Sequence, residues 1–118
     1  MADHTEDFLQ LVAEAKTRIK QVSPEAALQL AHEGAVLLDV REEEEFAQAH
    51  LEGATNLSRN DLAEQIEATV PDKSTPIVCY CAGGNRGALA ADTLQTLGYT
   101  NVVSIEGGLK AFSLDRQD

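Results

Sequence analysis

Apolar residues recur along the chain at two spacings, one typical of amphipathic helices and one typical of short buried strands. Helical spacing predicts helices at about 5–19, 24–33, 43–49, 58–70, 85–97 and 108–112. Apolar runs of strand length predict strands at about 21–22, 35–40, 54–57, 77–80 and 101–105. Thr5 and Ser23 are the expected N-caps of the first two helices, and Ser58 or Asn60 is the expected cap of the fourth.

Strands and helices alternate in this pattern, which predicts an α/β fold with a parallel sheet. The run 35–40 is almost continuously apolar, as in strands that helices cover on both faces. In such sheets ligands bind at the carboxyl ends of the strands, where the loops at 40–41, 58–60, 81–87 and 106–108 are expected to meet. Arg59, Cys81 and Arg86 are therefore candidates to face one pocket.

The composition fits one domain with an aliphatic core. The chain has 118 residues, no Trp, three Phe and two Tyr, and needs no metal or disulfide to complete its core. Twenty acidic against nine basic residues leave a net charge of −11, which argues against binding to nucleic acid or to an anionic membrane surface. The excess charge serves solubility, or it steers the protein toward basic partners.

The termini and the cysteine count bear on location. Residues 1–7 are acidic and lack the apolar segment of a signal peptide, and no stretch is long and apolar enough to span a membrane. We therefore expect a cytoplasmic protein. The chain has only two cysteines, two residues apart, which is not a disulfide framework, and a reducing compartment suits a reactive thiol.

Cys81 ends a predicted strand and opens a glycine-rich turn into a helix. The positive end of that helix, the backbone N–H groups of the turn and the guanidinium of Arg86 all favour negative charge on the sulfur, as thiolate or as persulfide. Gly83 and Gly84 are expected to adopt unusual φ values and to keep side chains out of the bowl. Cys81 is therefore the candidate nucleophile. The candidate anion-binding residues are Ala82, Gly83, Gly84, Asn85, Arg86, Gly87 and Arg59.

A plain turn around a buried, inert cysteine is the alternative to a catalytic Cys81, but the glycines and Arg86 favour catalysis. Cys79 is interpreted as a packing residue inside the strand rather than as a resolving thiol. Asp39 and Arg41, at the end of another strand, are expected to pair and to shape the loop that follows. The three histidines lack the spacing of metal ligands, so we expect no metal site.

Several motifs in a fixed order carry a resemblance to a known family. They are LLDVR at 37–41, EF at 45–46, HLEGA at 50–54, NL at 56–57, VCYC at 78–81, GNR at 84–86 and EGG at 106–108. In order and spacing they resemble a single-domain rhodanese, and the resemblance covers about 23–112.

The resemblance implies a central parallel sheet of about five strands with helices on both faces. It implies a rhodanese domain at 23–114, after a helical extension and first strand at 1–22, and we expect the tail at 115–118 to fray. It also implies that Cys81 is the nucleophile and that the backbone of 82–87 is the cradle. Sulfur would pass from thiosulfate or a similar small anionic donor to cyanide or a thiol, a protein thiol included, through a Cys81 persulfide and without a cofactor. We expect a monomer or a weak dimer.

The length of the loop bears on the choice between enzyme classes. Four residues separate Cys81 from Arg86, whereas related phosphatases and arsenate reductases place one residue more there, so the smaller bowl favours a sulfur atom over a phosphate.

Two departures from the family pattern keep other functions open. Ala82 replaces a residue that is often basic in the family, and Gly87 replaces one that is often Ser, which weakens donor binding. Arg59 either supplies the missing charge or is an ordinary exposed loop residue. The second hypothesis is therefore a persulfide carrier or interaction module for protein partners, and the third is a phosphatase or arsenate reductase.

Overall fold

The computed structural model describes residues 5–115, and the side chains of 5–112. Its helices are α1 (Glu6–Lys16), α2 (Pro24–His32), α3 (Glu43–Gln48), α4 (Leu62–Thr69), α5 (Asn85–Thr96) and α6 (Gly108–Asp115). Its strands are β1 (Lys20–Val22), β2 (Val36–Asp39), β3 (Thr55–Asn56), β4 (Ile77–Tyr80) and β5 (Val102–Ile105). The strand pairs in this range are all parallel, in the order β1-β5-β4-β2-β3, so the predicted α/β fold with a five-stranded parallel sheet is confirmed.

Side-chain caps set where the first two helices begin. The Thr5 hydroxyl accepts a hydrogen bond from the backbone N–H of Phe8 at 3.1 Å, and the Ser23 hydroxyl accepts one from Ala26 at 3.1 Å. Each bond satisfies a backbone donor that the first turn leaves without an intrahelical partner. Both predicted caps are therefore confirmed.

The predicted cap of α4 is wrong, since neither Ser58 nor Asn60 occupies the N-cap position, which belongs to Asp61. The backbone N–H of Asp61 donates to the Ser58 carbonyl at 2.8 Å and closes a turn ahead of the helix. The Ser58 hydroxyl accepts a long bond from Asn60 within that turn, at 3.4 Å. Ser and Asn stabilise turns as readily as helix starts, so the sequence alone did not separate the two roles.

Helices cover both faces of the sheet, as predicted. β4 lies in its centre, and its four residues are all buried. Ile77 and Cys79 contribute to a hydrophobic cluster with residues of α4 and α5, whereas Val78 and Tyr80 contribute to a second cluster with residues of α2 and α6. Cys81 continues the alternation and lies on the α5 side. This double coverage explains the continuous apolar run.

The N-terminal segment packs against the same sheet. β1 pairs with β5, and α1 packs on α5 with Val12 and Ala15 buried. Arg18 forms a two-bond ion pair with Asp92 of α5, at 3.0 and 2.8 Å, and its carbonyl accepts a bond from the Gln95 side chain at 2.9 Å. α1 is thus attached to the helix that begins at the Cys81 loop.

The structure describes the two predicted terminal segments only in part. Residues 1–4 of the predicted extension and 116–118 of the predicted frayed tail are outside the described residues, and Asp115 is the last residue of α6. Between residues 5 and 115, no helix combines the length and the apolar content needed to cross a membrane.

A buried ion pair shapes the loop after β2, as the sequence predicts. Arg41 donates to the Asp39 carboxylate from Nε at 3.0 Å and from Nη2 at 2.8 Å, and Nη2 also donates to the Ala49 carbonyl at 2.6 Å. The hydrogen bonds that Arg41 donates to the Asp39 carboxylate raise the pKa of Arg41. Asn56 completes the network by donating to the carbonyls of Asp39 and Arg41, each at 3.0 Å. The network fixes the backbone at the carboxyl end of β2.

We predict that Arg41→Ala lowers the free energy of unfolding by about 3–5 kcal/mol, because it leaves the fully buried Asp39 carboxylate without its cation. The matched control is Arg18→Ala, which removes a two-bond pair whose arginine side chain is 56% exposed. That change is expected to cost much less, since water screens an exposed pair. Urea unfolding measures both, and equal losses would contradict the difference in burial.

Candidate active site

A pocket of about 510 Å³ opens at the carboxyl end of β4, where the loop 81–84 leads into α5. The residues that line it are Phe8, Arg59, Cys81, Ala82, Gly83, Asn85, Arg86 and Lys110. The pocket therefore brings Arg59, Cys81 and Arg86 together, as the loop positions predict. It also contains Phe8 and Lys110, which the sequence did not indicate.

Cys81 lies at the floor of this pocket and is only 1% exposed. The backbone N–H of Gly84 donates to its Sγ at 3.1 Å. Gly84 also occupies the N-cap position of α5, so the free N–H groups of the first helical turn begin beside the sulfur. These donors and the helix dipole stabilise a negative charge on Sγ.

The glycines of the loop act in three different ways. Gly84 has a φ of +107°, so the predicted unusual backbone is confirmed there. The same prediction is wrong for Gly83, whose φ is not positive; a Cβ there would meet no atom within 4 Å and would extend into open space. Gly87 lies against β4, where a Cβ would come within 3.3 Å of the Tyr80 Cα. Gly87 thus permits α5 to pack closely on the strand and is not among the pocket-lining residues named above.

The first turn of α6 holds the loop from the other side. The backbone N–H groups of Leu109 and Lys110 donate to the carbonyls of Cys81 and Ala82, at 2.8 and 2.9 Å. A trans peptide directs its N–H opposite to its carbonyl, so the N–H groups of Ala82 and Gly83 point away from α6. Two helix starts therefore orient the loop: α6 binds its carbonyls, and α5 begins at its amides.

Arg86 forms a two-bond ion pair that the sequence analysis missed. Its Nη1 and Nη2 donate to the two carboxylate oxygens of Glu45, at 2.8 and 3.0 Å. The hydrogen bond from Arg86 lowers the pKa of Glu45 from an ordinary 4.5 to about 2. Glu45 stands in the EF motif, which was recognised but given no role. Arg86 thus lines the pocket with its orientation set by a carboxylate that offsets much of its charge.

Two further cations lie on the pocket wall. Arg59 is exposed, and its backbone N–H donates to the Val40 carbonyl at 3.0 Å, which ties the loop after β3 to the end of β2. Lys110 is exposed and lies in the first turn of α6, the turn that binds the carbonyls of Cys81 and Ala82. Lys110 and Phe8 each occupy an ordinary position in a predicted helix, so no local signal could have placed them beside Cys81.

Cys79 lies behind the site with no exposed surface, which confirms its predicted buried position. Burial, followed by the charge of Cys81, raises the pKa of Cys79 to about 12. A thiol in that environment stays protonated and packs as an apolar group. Among the described residues, no group of three His, Cys, Asp or Glu side chains is arranged to hold a metal ion.

A cysteine under a helix N-terminus, at the carboxyl end of a parallel sheet, is an arrangement suited to thiol chemistry in an α/β fold. The family model described as "Rhodanese-like domain" matches residues 23–115, and the chain belongs to this family. Thiosulfate sulfurtransferase GlpE of Pseudomonas entomophila is 40% identical over 94 residues, which cover 80% of this chain and 84% of that protein. Thiosulfate sulfurtransferase PspE of Escherichia coli is 35% identical over 79 residues, which cover 67% and 75%.

Among solved structures, a Rhodopseudomonas palustris protein superposes with a TM-score of 0.84 at 28% identity, over 98% of this chain and 95% of its own. That protein is described as one of unknown function and a possible tyrosine phosphatase. The predicted family is confirmed, and so is the predicted enzyme class, since the curated relatives are sulfurtransferases.

We predict that Gly108→Ala disrupts the site. Gly108 has a φ of +63°, and a Cβ there would lie 2.5 Å from the Cys81 carbonyl oxygen, so α6 must move away from the loop. Sulfurtransferase activity with thiosulfate is expected to fall about 100-fold, the effect of a misplacement near 1 Å. The control is Gly34→Ala, where φ is +110° but a Cβ meets nothing within 4 Å. Gly34→Ala is expected to lower the free energy of unfolding by about 1–2 kcal/mol and to leave the activity unchanged. An equal loss of activity in the two variants would refute the steric argument.

Proposed function

We propose that this protein moves a sulfane sulfur from thiosulfate, or a similar small anion, to a thiophilic acceptor through a persulfide on Cys81. The observation that carries this proposal is the hydrogen bond from the Gly84 N–H to the Cys81 Sγ, at the floor of an open pocket and at the start of α5. The names of the curated relatives support the same chemistry.

In the first half-reaction the Cys81 thiolate attacks the outer sulfur of thiosulfate. The sulfur–sulfur bond of the donor breaks, and its electron pair leaves with sulfite, so Cys81 becomes a persulfide anion. The Gly84 N–H and the first turn of α5 favour the anion before and after transfer, because each state carries one negative charge beside them, on Sγ in the thiolate and on the outer sulfur, one bond away, in the persulfide. Arg59 and Lys110 attract the dianionic donor into a protein whose net charge is −11.

In the second half-reaction a nucleophilic acceptor attacks the outer sulfur of the persulfide. The persulfide bond breaks, and its electron pair returns to Cys81, which leaves as a thiolate. With cyanide the product is thiocyanate, and with a thiolate it is a new persulfide. The donors that favour the attacking thiolate also favour this leaving group, so one cradle serves both steps.

We predict that thiosulfate adds one sulfur atom to the intact protein, as measured by mass spectrometry, and that cyanide removes it. Cys81→Ser is expected to abolish the gain, because it removes the nucleophile. The matched control Cys79→Ser is expected to retain it, because Cys79 is buried behind the site.

Other outcomes of that experiment point to the competing functions. Loading without turnover to cyanide or to small thiols would favour a persulfide carrier that serves protein partners. Hydrolysis of an aryl phosphate without sulfur loading would contradict the proposal and favour a phosphatase. Loading that survives Cys81→Ser would contradict the assignment of the nucleophile.

We predict that Arg86→Ala slows loading by thiosulfate more than Arg59→Ala does. Removing Arg86 deletes a pocket-lining cation and also leaves the Glu45 carboxylate without its partner beside an anionic donor. The double variant Arg86→Ala with Glu45→Gln is therefore expected to recover part of the rate, about threefold to tenfold over the single variant, because it removes the unpaired negative charge. Rates of sulfite release measure this effect. No recovery in the double variant would show that the guanidinium, rather than charge balance, accounts for the loss.

A further inference from the structure

The pocket beside Cys81 is larger than the proposed donor requires. Its volume of about 510 Å³ falls in the range of sites for organic ligands, roughly 300–1,000 Å³. Thiosulfate and cyanide are small inorganic anions, and either occupies only a fraction of that space. The remaining volume extends toward Phe8 of α1 and Lys110 of α6, which line it together with the loop.

Phe8 belongs to a segment outside the family match, which begins at residue 23. The position of α1 is nevertheless fixed, because Val12 and Ala15 are buried against the domain and Arg18 pairs with Asp92 of α5. Since α5 starts at the Cys81 loop, this packing places Phe8 at a set position relative to the sulfur. Its half-buried ring is an apolar surface on the pocket wall.

Lys110 provides a positive charge in the same space. Three of the nine Lys and Arg residues line the pocket, although the net charge is −11. Arg86 is paired with Glu45, whereas no carboxylate among the side chains of 5–112 forms an ion pair with Lys110. The Lys110 backbone is held by its bond to the Ala82 carbonyl at 2.9 Å, so the backbone position from which this cation extends is fixed beside the Cys81 loop.

We propose that Phe8 and Lys110 form an acceptor subsite for a small organic thiol that carries a carboxylate. The inference rests on the proposed sulfur transfer and specifies its second half-reaction. The organic part of the acceptor packs on the Phe8 ring, and its carboxylate pairs with the Lys110 ammonium. A small thiol suits a sulfur that is 1% exposed at a pocket floor, which the surface of a folded partner reaches less easily.

The chemical step is balanced without a further reagent. The acceptor thiolate attacks the outer sulfur of the Cys81 persulfide, and a new sulfur–sulfur bond forms as the persulfide bond breaks. The electron pair of that bond returns to Cys81. The organic product is a persulfide with the charge of the thiolate that entered, and no net oxidation occurs.

The test isolates this half-reaction. Protein loaded with thiosulfate and freed of excess donor is mixed with N-acetylcysteine, with its neutral amide, or with cyanide, and loss of the persulfide is followed at several concentrations. Lys110→Gln is expected to raise the half-saturating concentration of N-acetylcysteine about threefold to fivefold and to leave that of the amide unchanged. Phe8→Ala is expected to raise the half-saturating concentrations of N-acetylcysteine and of its amide about tenfold, and to leave loading and cyanide turnover unchanged.

Two further variants separate a subsite from a general effect on α1. Phe8→Leu keeps an apolar contact and is expected to recover most of the thiol affinity. Leu11→Ala removes an apolar side chain that is 56% exposed on the same helix and is not among the pocket-lining residues, so it is expected to change no rate. If Phe8→Ala slowed loading and cyanide turnover as much as thiol turnover, the subsite would be refuted. Equal effects of Lys110→Gln on turnover with N-acetylcysteine and with its amide would refute carboxylate recognition. A persulfide that reacts with neither compound would refute it as well.

A separate readout keeps the subsite testable if thiosulfate fails to load Cys81, an outcome that would overturn the proposed function instead. The rate at which the unloaded Cys81 reacts with dithiobis(nitrobenzoate), an anionic aromatic disulfide, is compared with its rate toward neutral dithiodipyridine. We expect Lys110→Gln to slow only the anionic reagent and Phe8→Ala to slow both. Unchanged rates in both variants would overturn the subsite.

Discussion

The close approach of α6 to the loop after β4 is the contact on which the site depends. Gly108 lies where a Cβ would collide with the carbonyl oxygens of Cys81 and Ala82, and the next two residues of α6 donate backbone hydrogen bonds to those same oxygens. Because the carbonyls of Cys81 and Ala82 are bound on that side, the N–H groups of Ala82 and Gly83 face the other way. The next amide along the chain, the Gly84 N–H, donates to the sulfur. The loop is thus oriented by backbone groups.

Charge is distributed unevenly over this molecule, and the distribution suits an anionic substrate. The protein as a whole is acidic, yet its pocket is lined by Arg59, Arg86 and Lys110. The Arg86 charge is largely offset by Glu45, so its contribution is an ordered set of donors, whereas Arg59 and Lys110 supply attraction at the rim. A local field of this kind draws a small anion to one place on a surface that otherwise repels it.

The N-terminal helix contributes a wall of the pocket from outside the range of the family match. The family match begins at residue 23, but α1 packs on α5 and brings Phe8 to the pocket that contains Cys81. Cys81 and the loop that follows it lie within the matched domain, whereas Phe8 lies on the helix that precedes it. In the proposed function, sulfur transfer and the choice of acceptor therefore rest on different parts of the chain.

Local patterns in the sequence were sufficient to predict the helices and strands, the Thr5 and Ser23 caps and the position of Cys81 at a strand end. Each of these features depends on neighbours along the chain. They were not enough for the start of α4, where the same polar residue types stabilise a turn. The partner of Arg86 is 41 residues away, and Phe8 and Lys110 reach the pocket from opposite ends of the chain. The amino-acid sequence by itself thus determined the layered fold and the place of Cys81 directly after β4. Only the tertiary structure decided which charges and which apolar wall surround it, because those contacts depend on how helices distant in sequence pack around the loop.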